Sequence, residues 1–142
     1  MAKKTSRTKK NSGLHMLIVE SRFYDSISDE LLNGATRVLD KAGARYDRVT
    51  VPGTLEIPTA IGIAMDASRR RRAPYDGVVA LGCVIRGETP HFDFVASEAA
   101  SGLQLAGIET GVPVSFGLLT TDTPEQAEAR VGKGAEIMFA CR

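Results

Sequence analysis

Val78-Val79-Ala80-Leu81-Gly82-Cys83-Val84-Ile85 is apolar at nearly every position. A strand with one wet face alternates apolar and polar residues. A strand covered by helices on both faces does not, and such strands belong to parallel sheets. This stretch therefore predicts the central strand of an α/β fold. Pro74-Tyr75-Asp76-Gly77 leads into it as a turn, and residues 86–90 lead out of it as a polar loop.

Upstream, residues 14–19 read as a short apolar strand with His15 as its one polar interruption. Ile27, Leu31, Ala35, Val38, Leu39 and Ala42 then recur at three and four, which predicts a helix with one apolar face. Gly43 is its natural stop. Residues 46–51 favour a strand. A second helix is expected to start near Leu55, with Glu56 and Pro58 in its first turn. Ile57, Ala60, Ile61, Ala64 and Met65 supply its buried face. The run Arg69-Arg70-Arg71-Arg72 reads as cations at the helix end or as a basic patch.

Downstream, Phe92, Val95, Ala96, Ala99, Leu103 and Ala106 mark a third helix, and residues 113–119 a fourth strand. Thr123-Pro124-Glu125-Gln126 is a helix start, with Thr as N-cap and Pro first. That helix is expected to run over residues 127–139, weakened by Gly132 and Gly134. The order β-α-β-α-β-α-β-α predicts a three-layer α/β/α sandwich around a central, mainly parallel four-stranded sheet.

The 142 residues suit one domain. Hydrophobic residues at 43% and charged residues at 25% suit a water-soluble protein. No run approaches the length of a membrane span. Five of the 18 basic residues lie in the first ten positions, so 13 basic residues face 17 acidic ones in the rest. The body has little attraction for nucleic acid. Residues 1–13 are expected to be a flexible basic arm, solubilising or used in assembly, and residues 14–142 a single domain. The arm has no apolar stretch of the kind a secretory signal needs. Two cysteines without a CxxC pattern fit a reducing, cytoplasmic setting. With His15 and His91 the only histidines, a metal site has few ligands to draw on, and none is expected.

Ligands of an open α/β sheet collect beyond the carboxyl ends of its strands. The loop Arg86-Gly87-Glu88-Thr89-Pro90-His91 is the richest such place. It offers a cation, a glycine, a carboxylate, a hydroxyl and an imidazole just before a helix, where backbone N–H groups attract anions. The pattern leaves His91 open between proton transfer and simple packing. It leaves Thr89 open between a cap and a phosphate ligand. Glu88 beside an anion would have to point outward or pair with Arg86. Cys83 lies inside an apolar run, where a thiol is inert. No GxGxxG follows the first strand, and neither GxxxxGK[ST] nor GxSxG occurs.

Three stretches together resemble a known family. They are Val51-Pro52-Gly53-Thr54-Leu55-Glu56-Ile57-Pro58, then Leu81 through Asp93, then Phe116 through Ala127. In this order they resemble the 6,7-dimethyl-8-ribityllumazine synthase family of riboflavin biosynthesis, from about Val19 to Arg130. The resemblance implies a flavodoxin-like fold and a transferase. It joins 5-amino-6-(D-ribitylamino)uracil to 3,4-dihydroxy-2-butanone 4-phosphate, releasing phosphate and water, with no cofactor. It implies that Phe23 stacks on the pyrimidine, that Thr54, Leu55 and Glu56 line the ring and ribityl pocket, and that Glu56 bonds the ribityl hydroxyls. Val84 and Ile85 would meet the heterocycle through their backbone. Gly87, Glu88 and Thr89 would hold the phosphate region, chiefly through N–H groups and the Thr89 hydroxyl, and His91 would shuttle protons. Phe116 and Arg130 would come from a neighbouring subunit, on the ring and the phosphate, with Lys133 assisting. The family often has an aromatic residue where this chain has Leu55, and usually a longer loop after the arginine. The resemblance further implies homopentamers with shared active sites, and association with riboflavin synthase. The rivals are a non-catalytic flavin- or lumazine-binding relative, a flavodoxin-like electron carrier and a purely structural shell protein.

Overall fold

The computed structural model describes residues 11–133, the last without its side chain. Strand β1 (His15–Ser21) leads to helix α1 (Asp25–Ala42) and strand β2 (Arg45–Val51). A 3-10 turn (Thr54–Glu56) opens directly into α2 (Ile57–Arg70). Strand β3 (Gly77–Ile85), helix α3 (His91–Thr110) and strand β4 (Val114–Thr121) follow. A short α4 (Pro124–Glu128) and a 3-10 turn (Val131–Lys133) end the described part.

The four strands form one sheet in the order β2-β1-β3-β4, and every pairing is parallel. The apolar stretch of residues 78–85 pairs on both edges, with β1 and β4. Burial on both faces explains its composition. Met16, Ile18, Val79, Leu81 and Cys83 face α1 through Ile27, Leu31, Ala35 and Leu39. Leu17, Val19, Val78 and Ala80 face α2 and α3 through Ile57, Ile61, Met65, Ala99 and Leu103. Successive strand residues thus feed opposite cores, as the strand period requires.

Local signals set most boundaries. Gly43 takes φ 69 beyond α1, and the N–H of Ala44 returns to the carbonyl of Leu39. A glycine makes that left-handed stop without strain. Thr123 Oγ1 accepts from the Gln126 N–H, and Gln126 Oε1 accepts from the Asp122 N–H at 2.9 Å. Pro58 sits in the first turn of α2, where its missing N–H costs no helical bond.

Two expectations are corrected. The first strand begins at His15 rather than Leu14 and runs on to Ser21. The fourth helix does not continue through residue 133: it ends at Glu128, and the chain turns before Val131. Val131 is buried against the core on the α1 side, and reaching it takes the chain off the helical path. Residues 134–139 of that expected helix, Cys141 and the first ten residues of the basic arm lie outside the described residues.

Candidate functional site

The order β2-β1-β3-β4 reverses direction between β1 and β3. The loops leaving these two strands diverge to opposite faces and leave a crevice at their carboxyl ends. A cavity of about 260 Å³ lies there. Phe23 and Tyr24 line it after β1, and residues 53–56 line it after β2. Cys83, Val84 and Ile85 form the end of β3, and His91 and Val95 come from the first turns of α3.

Each wall has a local cause. The Phe23 loop is held from behind by Glu20, whose carboxylate is buried. Glu20 accepts from Arg48 Nε at 2.5 Å, Thr50 Oγ1 at 3.2 Å and Arg22 Nη1 at 3.3 Å. Arg22 also pairs with Asp29 in α1. A buried carboxylate persists only with such partners. Phe23 itself is 74% exposed and meets Tyr24 edge-on, with ring centroids 5.0 Å apart. Thr54 is buried, and its hydroxyl lies 3.0 Å from Ser21 Oγ, which ties the 3-10 turn to the end of β1. Leu55 and Glu56 are exposed at the cavity edge.

Val95 follows His91 by one helical turn, so both reach the same cavity. The His91 N–H lies 3.4 Å from Thr89 Oγ1. Gly87, Glu88 and Thr89 are exposed on the loop above. Glu88 does not pair with Arg86. The Arg86 guanidinium instead meets Asp93 at 3.1 Å and Asp122 at 2.8 Å, and it lies 4.3 Å from the Phe92 ring centroid. Burial pushes the Cys83 thiol up to about 11, so it is protonated and weakly nucleophilic near neutrality.

Thus Phe23, Thr54, Leu55, Glu56, Val84, Ile85 and His91 share one cavity. Phe116 and Arg130 do not join them. Phe116 stands on β4, which among the described residues pairs only with β3, and is 46% exposed. Arg130 lines a second, more polar concavity of about 310 Å³ with Arg86, Phe92, Thr120, Asp122 and Gln126. The Lys133 side chain lies outside the described residues. Among the described residues no three His, Cys, Asp or Glu side chains gather as a metal site. Sequence reasoning missed Tyr24, Gly53, Cys83 and Val95 as lining residues. Tyr24 adjoins Phe23, and Val95 lies four residues after His91, so the spacing held a signal for both.

A family model described as 6,7-dimethyl-8-ribityllumazine synthase matches residues 13–142. Three curated proteins carrying that name are similar to the chain. The one from Nitrobacter winogradskyi is 54% identical over 123 residues, 87% of this chain and 76% of that protein. One from Rhizobium meliloti, numbered 1 in its name, is 54% identical over 131 residues, covering 91% and 86%. The one from Agrobacterium fabrum is 52% identical over 117 residues, covering 82% and 79%.

Proposed function

The chain belongs to the 6,7-dimethyl-8-ribityllumazine synthase family, and from that premise we propose how its residues carry the reaction. The protein is a transferase of riboflavin biosynthesis. It condenses 5-amino-6-(D-ribitylamino)uracil with 3,4-dihydroxy-2-butanone 4-phosphate to 6,7-dimethyl-8-ribityllumazine, phosphate and water. The observation supporting a site at the crevice is the convergence of an exposed aromatic, a carboxylate and an imidazole there, beside an anion-friendly loop.

In this reading the pyrimidine lies on Phe23, its polar edge along the backbone of Val84 and Ile85, with Thr54 and Leu55 beside the ring. Its ribityl chain reaches Glu56. The phosphate sits on the N–H groups of Gly87, Glu88 and Thr89 and on the Thr89 hydroxyl. The pyrimidine amine attacks the ketone, and the carbinolamine loses water to an imine. Loss of a carbon-bound proton then expels phosphate. The resulting enol becomes a ketone, which closes on the ribitylamino nitrogen with loss of a second water. Each step moves a proton, and His91, at the start of α3 and at the cavity, is the group suited to relay it. Holding both reactants in one crevice supplies further rate by orientation.

The family's assembly is oligomeric. We assign the second concavity to a neighbour's site in a homopentamer. Phe116 of one copy covers the ring bound by the next, and Arg130, with Lys133, answers its phosphate. The exposed Phe94, Leu105 and Ile108 of α3 give such an assembly an apolar contact face. No described helix is long and apolar enough to cross a membrane. Free, buried Cys83 fits a cytoplasmic location. Riboflavin synthase, which consumes the product, is the partner this reading includes.

The test follows product absorbance and fluorescence after mixing protein with both substrates. The expected result is turnover well above background, with His91→Ala slowing it on the order of a hundredfold. Lumazine binding without turnover would instead favour a non-catalytic relative.

A further inference from the structure

Arg86 is the first residue after β3, and its backbone N–H donates to the Thr121 carbonyl at 2.9 Å. Its side chain joins two segments. Nη1 donates to Asp93 Oδ1 at 3.1 Å, in the first turn of α3 and two residues after His91. Nε donates to Asp122 Oδ1 at 2.8 Å, in the loop between β4 and α4. Phe92 supports the flat face of the guanidinium at 4.3 Å. From Asp122 the connection continues: its N–H donates to Gln126 Oε1, and the Gln126 carbonyl accepts from Arg130 Nη1 at 2.9 Å. One side chain thereby ties the helix start that bears His91 to the loop and helix that bear Arg130.

An arginine beside a proposed phosphate site invites a simpler role as phosphate ligand. Its surroundings argue against that. The guanidinium already faces two carboxylates, so the cluster offers an incoming anion no net positive charge. Two carboxylates in different directions and an aromatic face call for a planar, forked cation, which lysine does not provide.

We propose that Arg86 is a positioning residue that fixes His91 and Arg130 as one unit through Asp93 and Asp122. The proposal rests on the roles given above to His91 and Arg130. In a shared-site assembly those two residues of one chain serve different sites, so each Arg86 supports two neighbouring sites.

The test is steady-state kinetics on the intact oligomer. Asp122→Asn raises KM for the butanone phosphate about two- to fivefold, the scale of a half-exposed charge pair, and leaves kcat nearly unchanged. Asp93→Asn lowers kcat by a similar factor and displaces the pH profile of kcat, with KM little changed. Arg86→Met produces both effects, and Arg86→Lys does not restore them. In the Arg86→Met background, adding Asp122→Asn changes nothing further, because the two belong to one interaction. The proposal is overturned if either asparagine variant has wild-type kinetics, if Arg86→Lys is fully active, or if the Arg86→Met and Asp122→Asn effects multiply. Should Arg86→Met fail to assemble, the asparagine and lysine variants decide alone. Full turnover by His91→Ala, or an unchanged KM in Arg130→Ala, would instead remove the reading beneath the proposal.

Discussion

Gly53 has no side chain, yet it determines where a carboxylate can sit. A Cβ at this position would stand 2.7 Å from Glu56 Oε2 and 3.8 Å from its Cδ. The obstructing atom ends a flexible, exposed side chain, so a methyl group displaces the carboxylate rather than the fold. Gly53→Ala is expected to leave the melting temperature almost unchanged. It should raise KM for the ribityl-bearing pyrimidine about tenfold, the scale of one charge-assisted hydrogen bond. An unchanged KM counts against Glu56 as the ribityl ligand. At the other end of the sheet, Tyr75 Oη donates to Asp47 Oδ2 at 2.8 Å, and His15 Nε2 lies 3.0 Å from the same oxygen. Burial, then the bond to Asp47, pushes the Tyr75 phenol from 10.0 up to about 12. Its folded pKa is raised, so its stabilisation is complete below pH 10 and is lost as pH climbs through about 12. The Asp47 carboxyl is lowered, first by Tyr75 and then by His15, so its share is lost on the acid side instead. Denaturant unfolding on either side of the alkaline window should show a decline in the wild type that Tyr75→Phe flattens. An equal decline in both proteins would place the alkaline sensitivity elsewhere.

Strand β4 shows what an element tolerates at the edge of this sheet. A Cβ at Gly117 would overlap the carbonyl oxygen of Ala80 in β3 and come within 2.8 Å of Leu81 Cδ2. The carbonyl belongs to the central strand and cannot swing aside. Gly117→Ala should therefore destabilise by about 2 kcal/mol, as overpacking does. The melting temperature should fall by roughly 4–8 °C, and calorimetry measures it directly. No loss would mean that β3 and β4 separate more easily than their register suggests. The elements that sequence reasoning placed well carry their signals locally. Residues 78–85 are apolar throughout because both faces are covered, Gly43 stops α1, and Thr123 caps α4. The end of α4 was illegible for the opposite reason. Pro124 through Val131 continues to look helical, and only the burial of Val131 on the α1 side shows that the chain must turn.

At the scale of the molecule, the legible part of the candidate site is the part carried by contiguous loops. Phe23, residues 54–56 and residues 84–91 each follow a strand, and the parallel order brings those strand ends together. The Arg86 network could not be read from the chain, because its carboxylates lie 7 and 36 residues away. The positions of Phe116 and Arg130 also escape a reading of periodicity, since neither reaches the first cavity. If the two concavities are halves of sites completed between copies, a defect in one half is repairable by a different chain. His91→Ala protein, slow at any substrate level, and Arg130→Ala protein, slow at butanone phosphate far below its raised KM, should then regain activity at that low concentration when co-expressed and assembled together. With random mixing at equal amounts, a site needs an intact His91 from one copy and an intact Arg130 from its neighbour. About a quarter of the sites meet both conditions in a closed ring with head-to-tail contacts. The expected activity is near that fraction of the wild type, measured on oligomers purified intact. Activity that stays at the sum of the two separate variants would show that both residues act within one chain, and the second concavity would then need a different role.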